Sequence, residues 1–304
     1  ETGLTICMKI KNKEDIIGYF IEGDKFNQHI GIENEKFIFE KNTKKRSSYN
    51  QIVSVLNFLI ENYDWKPVKE NNNLIGLESN GKQVTLEPGN QIELAGAKLS
   101  NIHETCSESF EFQDQLVNAS NHLGLKLFSV GYDPFTKLDN VPTNPKKRYQ
   151  VMTKEMPKNN NLSLEMMYQT AGTQINLDYS DEKNFTNIFK ISSYIVPLSI
   201  AIFANSSIKE NKFSKFLSYR SFVWQNTSRG GLPKIFLENM TFEKYADFCL
   251  EYPLLFIIKG NDYLFPNNYR FKDFMNNKIK EINNEMPSKK YLETQLSTKF
   301  TCLL

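Results

Sequence analysis

Paired cysteines, Gly/Ser linkers and long apolar runs are all missing from this chain of 304 residues, and each absence narrows what it can be. The four cysteines (Cys7, Cys106, Cys249, Cys302) are far apart and form no CxxC. They read as free thiols in a reducing, cytoplasmic compartment, not as a disulfide framework. His103-Glu104-Thr105-Cys106 has ligand types at helical spacing, but no second pair accompanies it, which argues against zinc. No Ser/His/Asp or Cys/His set stands out, so a side-chain nucleophile is not indicated, and Cys106 and Cys249 read as core residues. The longest apolar run, Ile195 to Ala204, is about half the length of a bilayer span. It is expected as a buried helix, with no membrane partner. No N-terminal apolar segment suggests secretion. The Asn-x-Ser/Thr sequons at Asn118, Asn161, Asn184, Asn205, Asn226 and Asn239 follow from an Asn-rich composition. A net charge of +2 gives nucleic acid no electrostatic support as a partner. The compact basic runs Lys44-Lys45-Arg46 and Lys146-Lys147-Arg148 are expected as solvated loops.

What is present reads as soluble and globular: 40% hydrophobic and 24% charged residues, enough for one large domain or two ordinary ones. Asn12 predicts a helix to about Gly23. Ser48 opens another to Tyr63, with Ile52, Val55, Leu56, Leu59 and Ile60 on one face, and Asn101 with Glu104 opens a long one ending near Gly124. Alternation predicts a hairpin, Leu74–Leu77 and Val84–Leu86 around Asn80-Gly81, and further strands at Lys126–Tyr132, Thr173–Tyr179, Phe216–Trp224 and Leu254–Ile258. Helices are expected at Thr241–Leu250 and near Arg270–Ile282. Gly76 to Gln83 spells G-x-x-x-x-G-K-Q, one residue short of a phosphate loop. It joins two strands, where a phosphate loop joins strand to helix, so that reading is rejected. Hairpins and long helices mix without βαβ alternation, which predicts an α+β fold around a mainly antiparallel sheet with helices on one face.

Two strand-like stretches carry carboxylates at every second position: Ile30 to Phe39, with Glu33 and Glu35, and Val84 to Leu94, with Glu87, Gln91 and Glu93. Strand period two puts each set on one face. Carboxylates gathered among apolar residues require cations, and all-oxygen clusters suit magnesium with substrate phosphates. Gln174 and Asn176 add a polar face to a third strand. Arg220, among hydrophobic residues, has the shape to hold a carboxylate or phosphate by two parallel bonds.

The same residues resemble glutamate–cysteine ligases of the plant and α-proteobacterial type. Ile30-Gly-Ile-Glu-Asn-Glu-Lys-Phe37 is similar to that family's IGTEHEKF, and Leu86-Glu-Pro-Gly-Asn-Gln-Ile-Glu-Leu-Ala-Gly96 to its LEPGGQFELSG. Matches continue in order through Ile102–Cys106, Pro145–Met152, Gln174–Asp178 and Phe216–Trp224, covering about residue 10 to 300. Asn34 stands where the family has His, and Asn90 where it has Gly. The resemblance implies a glutamine-synthetase-like fold with a concave sheet, forming a single catalytic domain over 1–304 as a monomer or homodimer. It implies magnesium, or manganese, held by Glu33, Glu35, Glu87, Gln91, Glu93 and Gln174. ATP would lie against Lys36, Asn176 and Arg229. Arg148 and Arg220 would be catalytic, and Tyr149, Met152 and Trp224 would complete the pocket for L-glutamate, with L-cysteine as second substrate. The implied reaction is ATP-dependent ligation through γ-glutamyl phosphate. The alternatives are another carboxylate–amine ligase of the same fold, or a non-catalytic ATP- and metal-binding fragment. Family members continue past a segment like Leu296–Phe300 into an RLKxYLEMRGAD-type motif, so a C-terminally truncated ligase is expected.

Overall fold

Three helix starts legible in the sequence carry caps in the computed structural model, which describes residues 9–23, 28–158, 162–227, 229–260, 262–266, 268–282 and 285–301. Cys7, Cys302 and the sequon at Asn161 lie outside them. Helix α1 (Lys13–Glu22) and helix α2 (Tyr49–Asn62) open on capping boxes, Asn12 with Asp15 and Ser48 with Gln51. Helix α3 (Ile102–His122) is capped by Asn101, whose side chain accepts from the backbone N–H groups of His103 and Glu104. Each such cap satisfies donors that the first helical turn leaves unpaired.

The chain divides into two compact units, one within residues 28–178 and 197–228, the other within 1–27, 179–196 and 229–304. The first is built on a seven-stranded sheet: β1 (Ile30–Glu40), β2 (Lys66–Glu70), β3 (Asn73–Ser79), β4 (Lys82–Leu86), β5 (Ile92–Ala95), β6 (Leu125–Phe128) and β7 (Thr173–Leu177). The order is β2-β3-β4-β5-β1-β6, with β7 also on β1, and every pairing is antiparallel. One face is apolar. Ile38, Leu77, Val84, Leu86, Ile92 and Leu94 pack there with Ile52, Val55, Leu56 and Leu59 of α2 and Phe112, Leu116 and Ala119 of α3. Alternation then turns Glu33, Glu35 and Glu93 to the other face. The β3–β4 turn has Asn80 and Gly81 both at positive φ (47° and 81°), as a tight hairpin turn requires. The G-x-x-x-x-G-K pattern is therefore a hairpin, as its context predicts.

The remaining helices that matter below are α4 (Lys147–Glu155), α5 (Ser163–Gln169), α6 (Glu182–Ile202), α7 (Tyr219–Gln225) and α8 (Phe242–Glu251). Phe216–Trp224 is thus not a strand. Ser218 accepts a hydrogen bond from Ser221 N–H and starts α7, where Tyr219 stacks on Phe222, as does Phe216 from just before the helix. The strand expected at Leu254 begins only at Ile257, and the helix expected over Arg270–Ile282 is a short turn, Phe271–Met275, followed by a 3-10 turn. Ile195–Ala204 largely falls in a helix but not a buried one: α6 buries only Phe189 and Ser193, while Ile191, Tyr194, Leu198 and Ile202 are exposed. Among the described residues α6 alone is long and apolar enough to cross a membrane, by length and composition. In the second unit, Phe20, Phe189, Phe236, Phe242, Tyr245, Phe271 and Phe274 form an aromatic core around α1 and α8.

Candidate metal centre

Register decides which acidic side chains meet. Glu35 of β1 stands opposite Glu93 of β5, and Glu93 stands opposite Thr85 of β4. Glu87 reaches the same place from the turn that follows β4. One oxygen from each of Glu35, Glu87 and Glu93 lies within 4.8 Å of the others, and all three residues are half-buried. Neutral and backbone donors surround them. Thr85 Oγ1 donates to Glu93 Oε2 at 3.2 Å, Tyr149 OH to Glu87 Oε1 at 2.9 Å, and Gly172 N–H to Glu35 Oε2 at 2.5 Å.

Like charges this close destabilise one another, and burial removes the water that would screen them. Burial pushes Glu35 up to about 8, with Glu87 adding to the rise and Arg220 opposing it. Burial likewise pushes Glu93 up to about 9, reinforced by Glu87, Glu35 and Glu33. A site that holds protons so tightly is short of positive charge. An all-oxygen donor set of this kind fits a hard divalent cation that keeps waters in its other positions.

Cationic and aromatic groups border the trio. The Arg220 guanidinium lies 4.9 Å from the Trp224 ring centroid. It presses so close to Gly172 that a Cβ there would sit 2.6 Å from Arg220 Nη2. Trp224 Nε1–H donates to Thr170 Oγ1 at 3.2 Å. Helix α4 carries Arg148, Tyr149 and the buried Met152 within two turns. Burial, with Glu87 adding, raises the Tyr149 hydroxyl well above its ordinary value, so it remains a donor. Glu33 belongs to a more open group: Asn176 Nδ2 donates to Glu33 Oε1 at 3.2 Å, and Gln174 Nε2 to Asn176 Oδ1 at 2.9 Å. Gln174 is the residue paired with Glu33 across β1 and β7.

Within this unit, Gln91, expected on the metal, and Lys36, expected against ATP, do not join the trio. Lys36 follows Glu35 by one residue and so points to the helix-covered face, where its Nζ donates to Asn34 Oδ1 at 2.5 Å while Asn34 Nδ2 donates to Ser109 Oγ of α3. Gln91 is buried and committed to backbone: its Oε1 accepts from Gly89 N–H at 2.9 Å, and its Nε2 donates to Met167 O and Thr170 O at 3.2 and 2.7 Å. Arg229 lies in the other unit, buried, with donors engaged by Thr298 O, Pro253 O and Thr298 Oγ1. The basic runs are solvated loops only in part: Lys44 and Lys45 are exposed outside helix and strand, and the rest are not. Lys146 donates to Leu86 O at 2.9 Å, Lys147 and Arg148 open α4, and Arg46 is buried. Cys106 is exposed where a core position was expected, while Cys249 is buried.

Two residues in contact with the trio were not anticipated. Thr85 shares the face of Glu87 by simple alternation and could have been found by it. Gly172 acts through its backbone N–H and leaves no side-chain signal.

Fold and site together define an α+β protein with a cluster of three carboxylates on one face of an antiparallel sheet. Comparison with known families sharpens this: the model of glutamate–cysteine ligase family 2 matches residues 29–301, and the chain belongs to that family. It is similar to glutamate–cysteine ligase A, chloroplastic, of Oryza sativa subsp. japonica, with 38% identity over 293 residues, 95% of this chain and 60% of the relative. The chloroplastic glutamate–cysteine ligases of Nicotiana tabacum and Arabidopsis thaliana are each 36% identical over the same share of this chain and 56% of their own length. The chain therefore spans 56–60% of the length of these curated relatives. Their names also overturn the expectation of a cytoplasmic setting, since these relatives are chloroplastic.

Proposed function

We propose that this chain binds ATP with magnesium, or manganese, and serves the ligation of the L-glutamate γ-carboxylate to the amine of L-cysteine, on a glutamine-synthetase-like fold. The convergence of Glu35, Glu87 and Glu93 in a member of this family carries the reading. In the reaction a γ-carboxylate oxygen of glutamate attacks the γ-phosphorus of ATP, the bond to ADP breaks, and γ-glutamyl phosphate forms. The cysteine amine then attacks the acyl carbon, loses a proton and expels phosphate. Glu35, Glu87 and Glu93 would hold the cation, with Glu33, Gln174 and Asn176 beside them. A bound divalent cation supplies charge neutralisation and orientation for the phosphates.

This chain's own groups do the remaining work. Arg220, fixed against Trp224 and Gly172, supplies a cation beside Glu35 for the transferring phosphoryl group or the substrate carboxylate. Tyr149 holds Glu87 by its hydroxyl proton, and Arg148, Met152 and Trp224 shape the glutamate pocket. The test is incubation with ATP, magnesium, glutamate and cysteine, read by mass spectrometry for γ-glutamylcysteine and ADP. Product with another amine but not with cysteine points to a different carboxylate–amine ligase. ATP binding with no product under any acceptor refutes catalysis by this chain.

A further inference from the structure

Of the three clustered carboxylates, Glu35 and Glu93 sit on strands, whereas Glu87 sits on a turn. A strand fixes its side chains through the ladder on both sides. A turn has only its own few bonds, so Glu87 needs other support to keep its place. The turn runs Glu87-Pro88-Gly89-Asn90-Gln91, closed by Asn90 N–H to Glu87 O and Glu87 N–H to Gln91 O, each 2.9 Å, with Asn90 at φ 60°.

Asn144 Nδ2 donates to Glu87 O at 2.7 Å and the Gln91 side chain ties the other end to Met167 O and Thr170 O, while the tip is held by a buried ion pair distant in sequence. Arg46 Nη1 meets Asp133 Oδ2 at 2.7 Å, with the two side chains 1% and 0% exposed. The other arm of the same guanidinium, Nη2, donates to Gly89 O at 2.8 Å, at the tip of the turn. Asp133 is itself held by the N–H groups of Phe135 and Thr136, both 2.9 Å from its Oδ1. The Arg46 guanidinium lies flat enough against Phe37 to bring its carbon 4.1 Å from the ring centroid. The turn has no slack on its far side: a Cβ at Gly89 would lie 2.4 Å from Tyr168 O. A guanidinium pinned by a carboxylate and a ring can hold a carbonyl in one place, because its donors form a rigid fork.

We infer that the Arg46–Asp133 pair is a positioning device for the cation site, fixing the 87–91 turn through Gly89 O so that Glu87 meets Glu35 and Glu93. This rests on the cation reading of that trio. Arg46 is buried behind the turn, with its donors on Asp133 and Gly89 O. It acts through the backbone, as partners behind metal ligands do, and their loss typically costs about 10–100-fold in metal affinity.

The test is Mn2+ binding followed by electron paramagnetic resonance, on the full chain, well below its melting temperature. Arg46→Lys keeps a charge for Asp133 but loses the fork. It is expected to retain native circular dichroism while weakening Mn2+ binding by about 10–100-fold. In a Glu87→Gln background the same substitution is expected to cause no further loss, since both act through one ligand. A purely structural Arg46 would lower the melting temperature and leave Mn2+ affinity unchanged. Wild-type affinity in folded Arg46→Lys, or an equal loss in the Glu87→Gln background, overturns the proposal. If Arg46→Lys does not fold, Asp133→Asn, which removes the carboxylate that pins the guanidinium, runs the same cycle with the same outcomes. A wild-type chain that binds no Mn2+ overturns the cation reading and this proposal with it. Normal binding by wild type and variant alike overturns the positioning role alone.

Discussion

Binding of a divalent cation to this site should expel protons. Without an ion, Glu35 titrates at about 8 and Glu93 at about 9, chiefly because both are buried beside other carboxylates. Near neutral pH the cluster therefore retains protons that ordinary carboxylates would have lost, and a cation binding to it expels them. Apparent affinity should rise with pH between pH 7 and pH 8, by up to about tenfold for each proton released. Calorimetric titration with Mn2+ in buffers of different ionisation enthalpy reads the proton count directly, and the same titration at two pH values reads the slope. Glu93→Gln should reduce the release by about one proton. The stability of the ion-free protein has the opposite dependence. Both folded-state values lie above the ordinary value of 4.5, so the folded state binds more protons than the unfolded one from about pH 4.5 to about pH 9. Stability should therefore fall as pH rises through that window, and excess Mg2+ should remove the fall. Fewer than about half a proton released, with an affinity independent of pH, would refute the reasoning.

Three further outcomes follow from the same structure. Glu93→Gln should raise the melting temperature of the ion-free protein by a few degrees at pH 7 while weakening Mn2+ binding, since it removes the burial of a carboxylate that the fold must keep protonated. Leu116→Ala, at a position fully buried between α3 and the sheet, should cost about 2–5 kcal/mol in urea denaturation with the site geometry kept. In a Cys7→Ser/Cys302→Ser background, one thiol should react promptly with a disulfide reagent and a second only on unfolding, because Cys106 is exposed while Cys249 is buried.

The acidic row was legible because period two is a local property. Glu33, Glu35 and Glu93 land on the face that alternation predicts, and the helices behind them follow from Ser48 and Asn101. Alternation also places Lys36 on the opposite face from Glu35, which the family resemblance alone had put at the nucleotide. Gln91 was misplaced for a different reason: Pro88 to Asn90 form a turn, and strand parity does not carry through it. Phe216–Trp224 reads as period two only while the hydroxyl of Ser218 is ignored as a helix cap. Arg46 was beyond reach of any local rule, since its carboxylate, Asp133, is 87 residues away and the carbonyl it holds, that of Gly89, 43 residues away. The exposure of α6 was equally hidden, because an apolar run looks the same whether or not neighbours cover it.

Diffraction from crystals of this protein soaked with Mn2+ and a non-hydrolysable ATP analogue, recorded at a wavelength where manganese scatters anomalously, would locate the cation itself. The account predicts an anomalous peak within coordination distance of Glu35, Glu87 and Glu93 together, with the analogue's phosphates on the Arg220 side. A peak at other residues, or none at this trio under saturating Mn2+, would contradict it.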